Sequence, residues 1–325
     1  VTPDDIRARA YGCALLAGIF RDGLTDEWLP WAQDIPGVGV HVPEPFEAEQ
    51  AAAQHYTVFG MNVFPHAGVY LDPEGLLGGA SAGAAAEFFQ SIGLPVPSGA
   101  GMADHVSSLL GALEFLCDAE ADALEDDQRA EAARMRGWQL RLLDEHLLTW
   151  LPAFVWAVQR QDDQFYGALA GFALEFLGVV REKLGAAILN MPPAFILTEP
   201  PALLENPKTS LKDIAAYLLK PALCGVMLTR DEISRIARAH ELPHGFGERL
   251  IMLHNLFKSA ADYDAFPAVL DDLTALAAVA RADYAAMTEF PGMQRTASVW
   301  AARVEQTGAL LAELRDKSIE EGIAP

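Results

Sequence analysis

The sequence predicts an all-α protein, and three observations carry that reading. Leu, Phe, Trp and Ala recur at i, i+3, i+4 and i+7 in three successive segments, 103–120, 141–158 and 165–178, with Asp, Glu, Gln and Arg between them. Hydrophobic residues make up 51% of the chain and charged residues 21%, with Ala, Leu and Glu prominent, which favours helix over strand in a globular protein. Helix-start chemistry opens the chain, since Thr2 supplies a capping hydroxyl, Pro3 suits a first turn, and Asp4 and Asp5 complement the helix dipole.

In order, the first helix is expected to run from Pro3 to about Phe20 and to end at Arg21-Asp22-Gly23. Thr25 is expected to cap a short helix carrying Trp28, Leu29 and Trp31. Residues 35–45 hold enough Gly and Pro to favour a loop over a strand. Phe46 to Phe59 reads as a helix with Phe46, Ala53, Tyr56 and Phe59 on one face. The next stretch, 60–79, contains five glycines and two prolines and reads as irregular. A short helix follows from Gly83 to Ile92, then GLPVPSGAG leads into the core helices. An acidic patch, Asp118 to Arg134, is expected to separate them, and Pro152 to kink the helix or start one afresh near Trp150, because its missing N–H breaks the preceding ladder.

Met191 to Lys208 contains five prolines and little periodicity, which marks a linker between a helical domain at 1–190 and a second helical region at 209–325. In that second region Thr229 and Glu232 are spaced as a capping box. Helices are expected over 245–260, 265–287 and 294–317.

Charge narrows the partners. The formal net charge is -22, so a phosphate backbone would be repelled over most of the surface and nucleic acid is an unexpected partner. Cys13, Cys117 and Cys224 lie far apart in apolar helical contexts, which suggests buried thiols in a reducing compartment. The opening residues lack the charged and apolar regions of a secretory signal, and the longest apolar run near the core is too short to span a bilayer, so a cytoplasmic protein without membrane insertion is expected.

Catalytic motifs are lacking. There is no phosphate-binding Gly-x-x-x-x-Gly-Lys-Ser/Thr, no dinucleotide fingerprint around Gly37, no Gly-x-Ser-x-Gly, no His-Glu-x-x-His and no Cys-x-x-Cys. Neither an enzyme nor a bound cofactor is therefore expected. A metal site is the leading enzymatic alternative, because Asp104, His105, Glu114, Glu145 and His146 all fall on core helices. Adjacent Glu145 and His146 point about 100 degrees apart on a helix, however, unlike the Glu-x-x-His ligands of di-iron bundles. His240, His244 and His254 straddle Pro243 and a Gly-rich turn, which fits helix ends or surface better than ligation. His105 and His146 can also be read as buried or half-buried histidines bonded to backbone carbonyls or to Asp104 or Asp144, a reading favoured for His146.

Asp104-His105-Val106 with the helix to Leu116, Glu145-His146-Leu147-Leu148 with Trp150, and Phe165-Tyr166 together resemble the TorD/DmsD/NarJ family of chaperones. ARAYGCALLAGIF (8–20) and HYTVFG (55–60) agree, so the likeness spans about residues 1–185. The resemblance implies a TorD-like helical bundle, here followed by an additional helical region. It also implies a cytoplasmic chaperone for the catalytic subunit of a molybdenum-cofactor oxidoreductase, binding that subunit or its twin-arginine signal peptide and assisting cofactor insertion before export. Helix exchange between members makes a homodimer compatible. The client-binding residues it implies are Tyr56, Phe59, Tyr70, Asp104, His105, Glu114, Asp118, Glu145, His146 and Trp150, with the arginines of a signal peptide meeting carboxylates such as Asp104, Asp118 and Glu120. The competing readings are a helical metal- or small-molecule-binding protein, enzymatic or not, and a structural adaptor.

Overall fold

The computed structural model describes residues 2–97, 103–185 and 195–320, and among them the regular structure is helical throughout. The N-terminal part contains α1 (Pro3–Asp22), α2 (Leu29–Gln33), α3 (Ala48–His55), α4 (Ala67–Leu71), α5 (Ala80–Ser91), α6 (Val106–Glu125), α7 (Arg129–Arg141), α8 (Leu151–Gln159) and α9 (Gln164–Gly185). Two π-helical segments, Tyr56–Asn62 and Leu142–Leu147, continue α3 and α7. Beyond the linker come α10 (Leu211–Leu218), α11 (Pro221–Cys224), α12 (Arg230–Ala239), α13 (Arg249–Asp262), α14 (Phe266–Met287) and α15 (Gln294–Glu320).

Local chemistry explains the strongest starts. Thr2 Oγ1 accepts from Asp5 N at 3.2 Å while the Asp5 carboxylate accepts from Thr2 N at 2.9 Å, a reciprocal cap that Ser210 and Asp213 repeat at α10. Pro152 lies in the first turn of α8, where no N–H is needed.

Several expectations are corrected. Thr25 caps nothing: its Oγ1 is buried without a partner, and α2 starts from Trp28 after a turn closed on the Thr25 carbonyl. The stretch 60–79 is not wholly irregular, because Ala67–Leu71 forms a helical turn pinned from outside. The acidic patch does hold the break between α6 and α7, but only at 126–128; the rest of it is helical, with α6 reaching Glu125 and α7 starting at Arg129, as its Ala, Glu and Arg content favours. Ala53 and Tyr56 face solvent while Ala51, Val58, Phe59 and Asn62 are buried, because the π turn inserts a residue and shifts the buried stripe. Thr229 does cap α12, but Glu232 turns away to Arg160 and Arg235. α10 and α11 were not anticipated. Residues 98–102 and 191–194, within the expected approach to the core and the linker, lie outside the described residues.

The two helical regions share a continuous apolar core. Trp300 on α15 donates from Nε1 to Thr149 O at 2.8 Å, and Trp156 on α8 donates to Asp283 on α14 at 3.1 Å. Arg303 on α15 reaches three carbonyls, Thr198, Ala222 and Leu223, at 2.6, 2.8 and 3.2 Å, and so ties the linker and α11 to the last helix. The three cysteines are buried and free.

Candidate functional site

The segment before α4 runs beside the start of α6 as a single antiparallel bridge between His66 and His105. Val106 N donates to Pro65 O at 2.9 Å and Ala67 N to Asp104 O at 3.1 Å. This contact brings Asp104, fully buried, against the first turn of α4, where its Oδ2 accepts from Gly68 N at 2.8 Å and its Oδ1 lies 3.2 Å from His66 Nδ1. A carboxylate removed from water needs such partners. Gly68 leaves room for them, since a Cβ there would lie 3.2 Å from Asp104 Oδ2 and 3.1 Å from Asp72 Oδ2.

His105 caps α6. Its Nδ1 accepts from Ser107 N at 3.1 Å, a role open only to an unprotonated ring nitrogen. Burial, and then the neighbouring His66, hold its pKa down to about 4. Asp72 does a similar task for α5: buried, it accepts from Ser81 Oγ at 2.6 Å and from Ser81 N at 3.2 Å.

The π segment Leu142–Leu147 supplies the opposite wall. Its extra residue shows in the bond from Leu148 N to Leu143 O, at 2.8 Å across five positions. The segment presents three polar side chains to three surroundings. Asp144 is held by Arg181 of α9 through two bonds of 2.8 and 2.9 Å, while Glu145 accepts from Arg141 at 2.9 Å. His146 packs 5.0 Å from the Phe88 ring, and its Nε2 is buried without a hydrogen-bond partner. Burial lowers the His146 pKa, which keeps the ring neutral.

Between these walls lies a cleft of about 210 Å³, lined by Ala67, Leu71, Ala85, Asp104, Glu145 and His146 among others. It joins two carboxylates and a neutral imidazole with apolar neighbours, a setting suited to a cationic or hydrogen-bond-donating group carried on an apolar segment.

The cleft gathers Asp104, Glu145 and His146 from the expected site residues, with His105 beside it at the bridge. Tyr70 and Trp150 are fully buried and stack on each other at 5.4 Å, and Trp150 Nε1 donates to His146 O at 2.7 Å, supporting the π segment from within. Phe59 is buried among Phe20, Phe154 and Tyr166. Tyr56 is 64% exposed and does not line the cleft. Neither do Glu114, whose pKa is raised by partial burial and by nearby Asp118, nor Asp118, which pairs with Arg7 at 3.6 Å. Glu120 is buried and bonded to Arg136 at 2.9 and 2.5 Å and to Gln139 at 2.7 Å, so its charge is answered within the chain.

The residues that sequence reasoning passed over are Asp72, Ser81 and Phe88. A Gly-Gly before α5 was the available sign for the first: at Gly79 a Cβ would lie 2.2 Å from Asp72 Oδ2. In the second region His240 pairs with Asp272 and His244 contacts Ser234. Among the described residues no group of three or more His, Cys, Asp or Glu is gathered as a metal site would need, and no helix is long and apolar enough to cross a membrane.

No curated protein matches the chain. A family model described as nitrate reductase delta subunit does match, over residues 41–155. That span contains α3 to α7, both π segments and most of α8, and therefore every wall of the cleft. Residues 41–155, a minority of the chain, are thus similar to the nitrate reductase delta subunit family, the NarJ/TorD-type chaperones, in agreement with the resemblance read from the sequence.

Proposed function

We infer that this protein is a cytoplasmic maturation chaperone that holds the catalytic subunit of a molybdenum-cofactor oxidoreductase during cofactor insertion and assembly. The supporting observation is that the family match covers the elements that build the cleft. Binding and release of a polypeptide need no bond to be made or broken. What they need is an apolar recess with a few fixed polar groups.

In this reading a basic side chain of the client enters beside Glu145, with Asp104 adding to the negative field and His146 Nε2 offering an acceptor. The arginines of a twin-arginine signal peptide have the right chemistry, since a guanidinium bonds carboxylates through paired donors.

The test is co-expression with the molybdoenzyme catalytic subunit, with and without that subunit's N-terminal signal. The wild-type chain is expected to co-purify with the client and raise its molybdenum content, and Glu145→Lys is expected to weaken capture. Equal molybdenum content in clients made with and without the chain would overturn the reading.

A further inference from the structure

A second and larger cleft, about 520 Å³, lies further along the same helices and is lined by Ile92, Leu116, Arg134, Met135, Trp138 and Arg141 among others. Its charged lining is entirely basic, in a chain whose net charge is -22. The charged lining of the first cleft is acidic.

The two clefts are consecutive along one groove. α5 lines the first with Ser81, Ala84 and Ala85 and the second with Ser91, followed by Ile92. The segment leading into α6 gives Asp104 to the first, and α6 gives Leu109 to the first and Leu116 to the second. α7 and its π extension run the other way, from Arg134, Trp138 and Arg141 to Glu145 and His146. Arg134, Trp138, Arg141 and Glu145 are spaced four, three and four residues apart, a single helical stripe. Phe88 sits at the divide, 5.8 Å from Trp138 and 5.0 Å from His146, with the Arg141 guanidinium 5.9 Å from its ring.

We propose that this groove docks an extended, bipolar segment of the client, with a carboxylate at the Arg134–Arg141 end, apolar side chains over Ile92 and Trp138, which the buried Phe88 supports from beneath, and a basic side chain at the Glu145 end. The proposal rests on the chaperone reading for the identity of the client, and it adds the charge order of what is bound.

Charge complementarity selects this occupant. Arg141 bonds Glu145 across the boundary of the clefts at 2.9 Å, with the two side chains 47% and 33% exposed, and Arg134 pairs with Glu131 one turn away at 64% and 38% exposure. Ion pairs this exposed hold their partners weakly and exchange readily. A segment carrying both signs opens the Arg141–Glu145 bridge, its cation taking Arg141's place on Glu145 and its carboxylate, at the Arg134 end, drawing the freed Arg141 guanidinium toward it. A segment of one sign leaves one half unanswered. Length is set by the helices: eleven residues from Arg134 to Glu145 rise about 16 Å, which an extended chain spans in about five residues.

The test uses the full-length chain and four fluorescein-labelled peptides in anisotropy titrations: Asp-Leu-Phe-Ala-Arg, Asp-Leu-Phe-Ala-Asp, Arg-Leu-Phe-Ala-Arg and the neutral Gln-Leu-Phe-Ala-Gln. The bipolar peptide is expected to bind at least about tenfold more tightly than any other, with the preference fading as salt is raised. In the double variant Arg134→Glu/Arg141→Glu that preference is expected to pass to the dibasic peptide. Such a gain cannot come from a chain that fails to fold. Equal binding of all four peptides, tightest binding of the dibasic peptide by the wild type, or a double variant with unchanged ranking would each overturn the proposal. Client capture that is intact while the ranking fails leaves the chaperone reading standing, and absent client capture with the ranking upheld removes only that reading.

Discussion

Replacing Asp104 with Ala removes the group that joins α4 to the start of α6. Two bonds are lost, from Gly68 N at 2.8 Å and with His66 Nδ1 at 3.2 Å, and both lie around a carboxylate with no solvent exposure. A hydrogen bond to a charged acceptor contributes about 1.5–3 kcal/mol, and a buried donor left unpaired costs about 1–3 kcal/mol. These two figures describe the same lost contact from its two sides, so they overlap, and the expected destabilisation is about 3 kcal/mol. Asp104→Asn keeps an acceptor for Gly68 N and is expected to cost about 1 kcal/mol. Urea unfolding followed by helical circular dichroism gives both numbers from the shift in midpoint at constant slope. The two variants must rank Ala well below Asn. Asp104→Ala within about 0.5 kcal/mol of wild type would refute the reasoning, because surface substitutions alone scatter that far.

Two further outcomes follow from the same physics. His105 stays neutral down to about pH 4 in the folded chain, whereas a free histidine protonates near 6.5. Unfolding therefore takes up a proton between those values, so this contribution is complete above about pH 6.5 and is lost as pH falls toward 4. His105→Asn preserves a helix cap without a titrating ring and is expected to flatten the plot of unfolding free energy against pH in that window; an unchanged slope would count against the assignment. Arg303→Met strands the Thr198, Ala222 and Leu223 carbonyls, and cleavage by a broad-specificity protease between residues 195 and 208 is expected to accelerate several-fold while cleavage within α6 does not.

The helices were legible where short-range rules act alone. Thr2, Pro3 and Asp5 announce α1, Pro152 announces α8, and the apolar spacing of 165–178 announces α9. Reading failed where a distant group decides the outcome. α4 is five residues long, too short to stand by its own propensity, and is held by Asp104 from the start of α6. Thr25 has the residue type of a cap, yet its hydroxyl meets no free N–H. The site divides the same way. Asp104, Glu145 and His146 were identified by their place in a familiar pattern and share one cleft, whereas Tyr70 and Trp150, from the same pattern, are stacked in the core beneath that wall. Aromatic residues flanking a functional stretch look alike in sequence whether they touch a partner or prop up what does. Asp72 was invisible because its partner, Ser81, sits across a glycine-rich turn with no periodic relation to it.

The π segment Leu142–Leu147 constrains evolution in an unusual currency. Five-position bonding lets one continuous rod show Arg134, Trp138 and Arg141 to the groove, then turn Asp144 toward α9 and His146 toward Phe88. Deleting one residue there would return the rod to ordinary pitch while leaving Trp150 and α8 on their present faces, because the widened turn already absorbs the extra residue; what would be lost is the aim of the segment's own side chains. A form of this stretch one residue shorter can therefore keep the core and lose the cleft, so among descendants a change of length here should travel with changes at Asp144, Glu145 and His146.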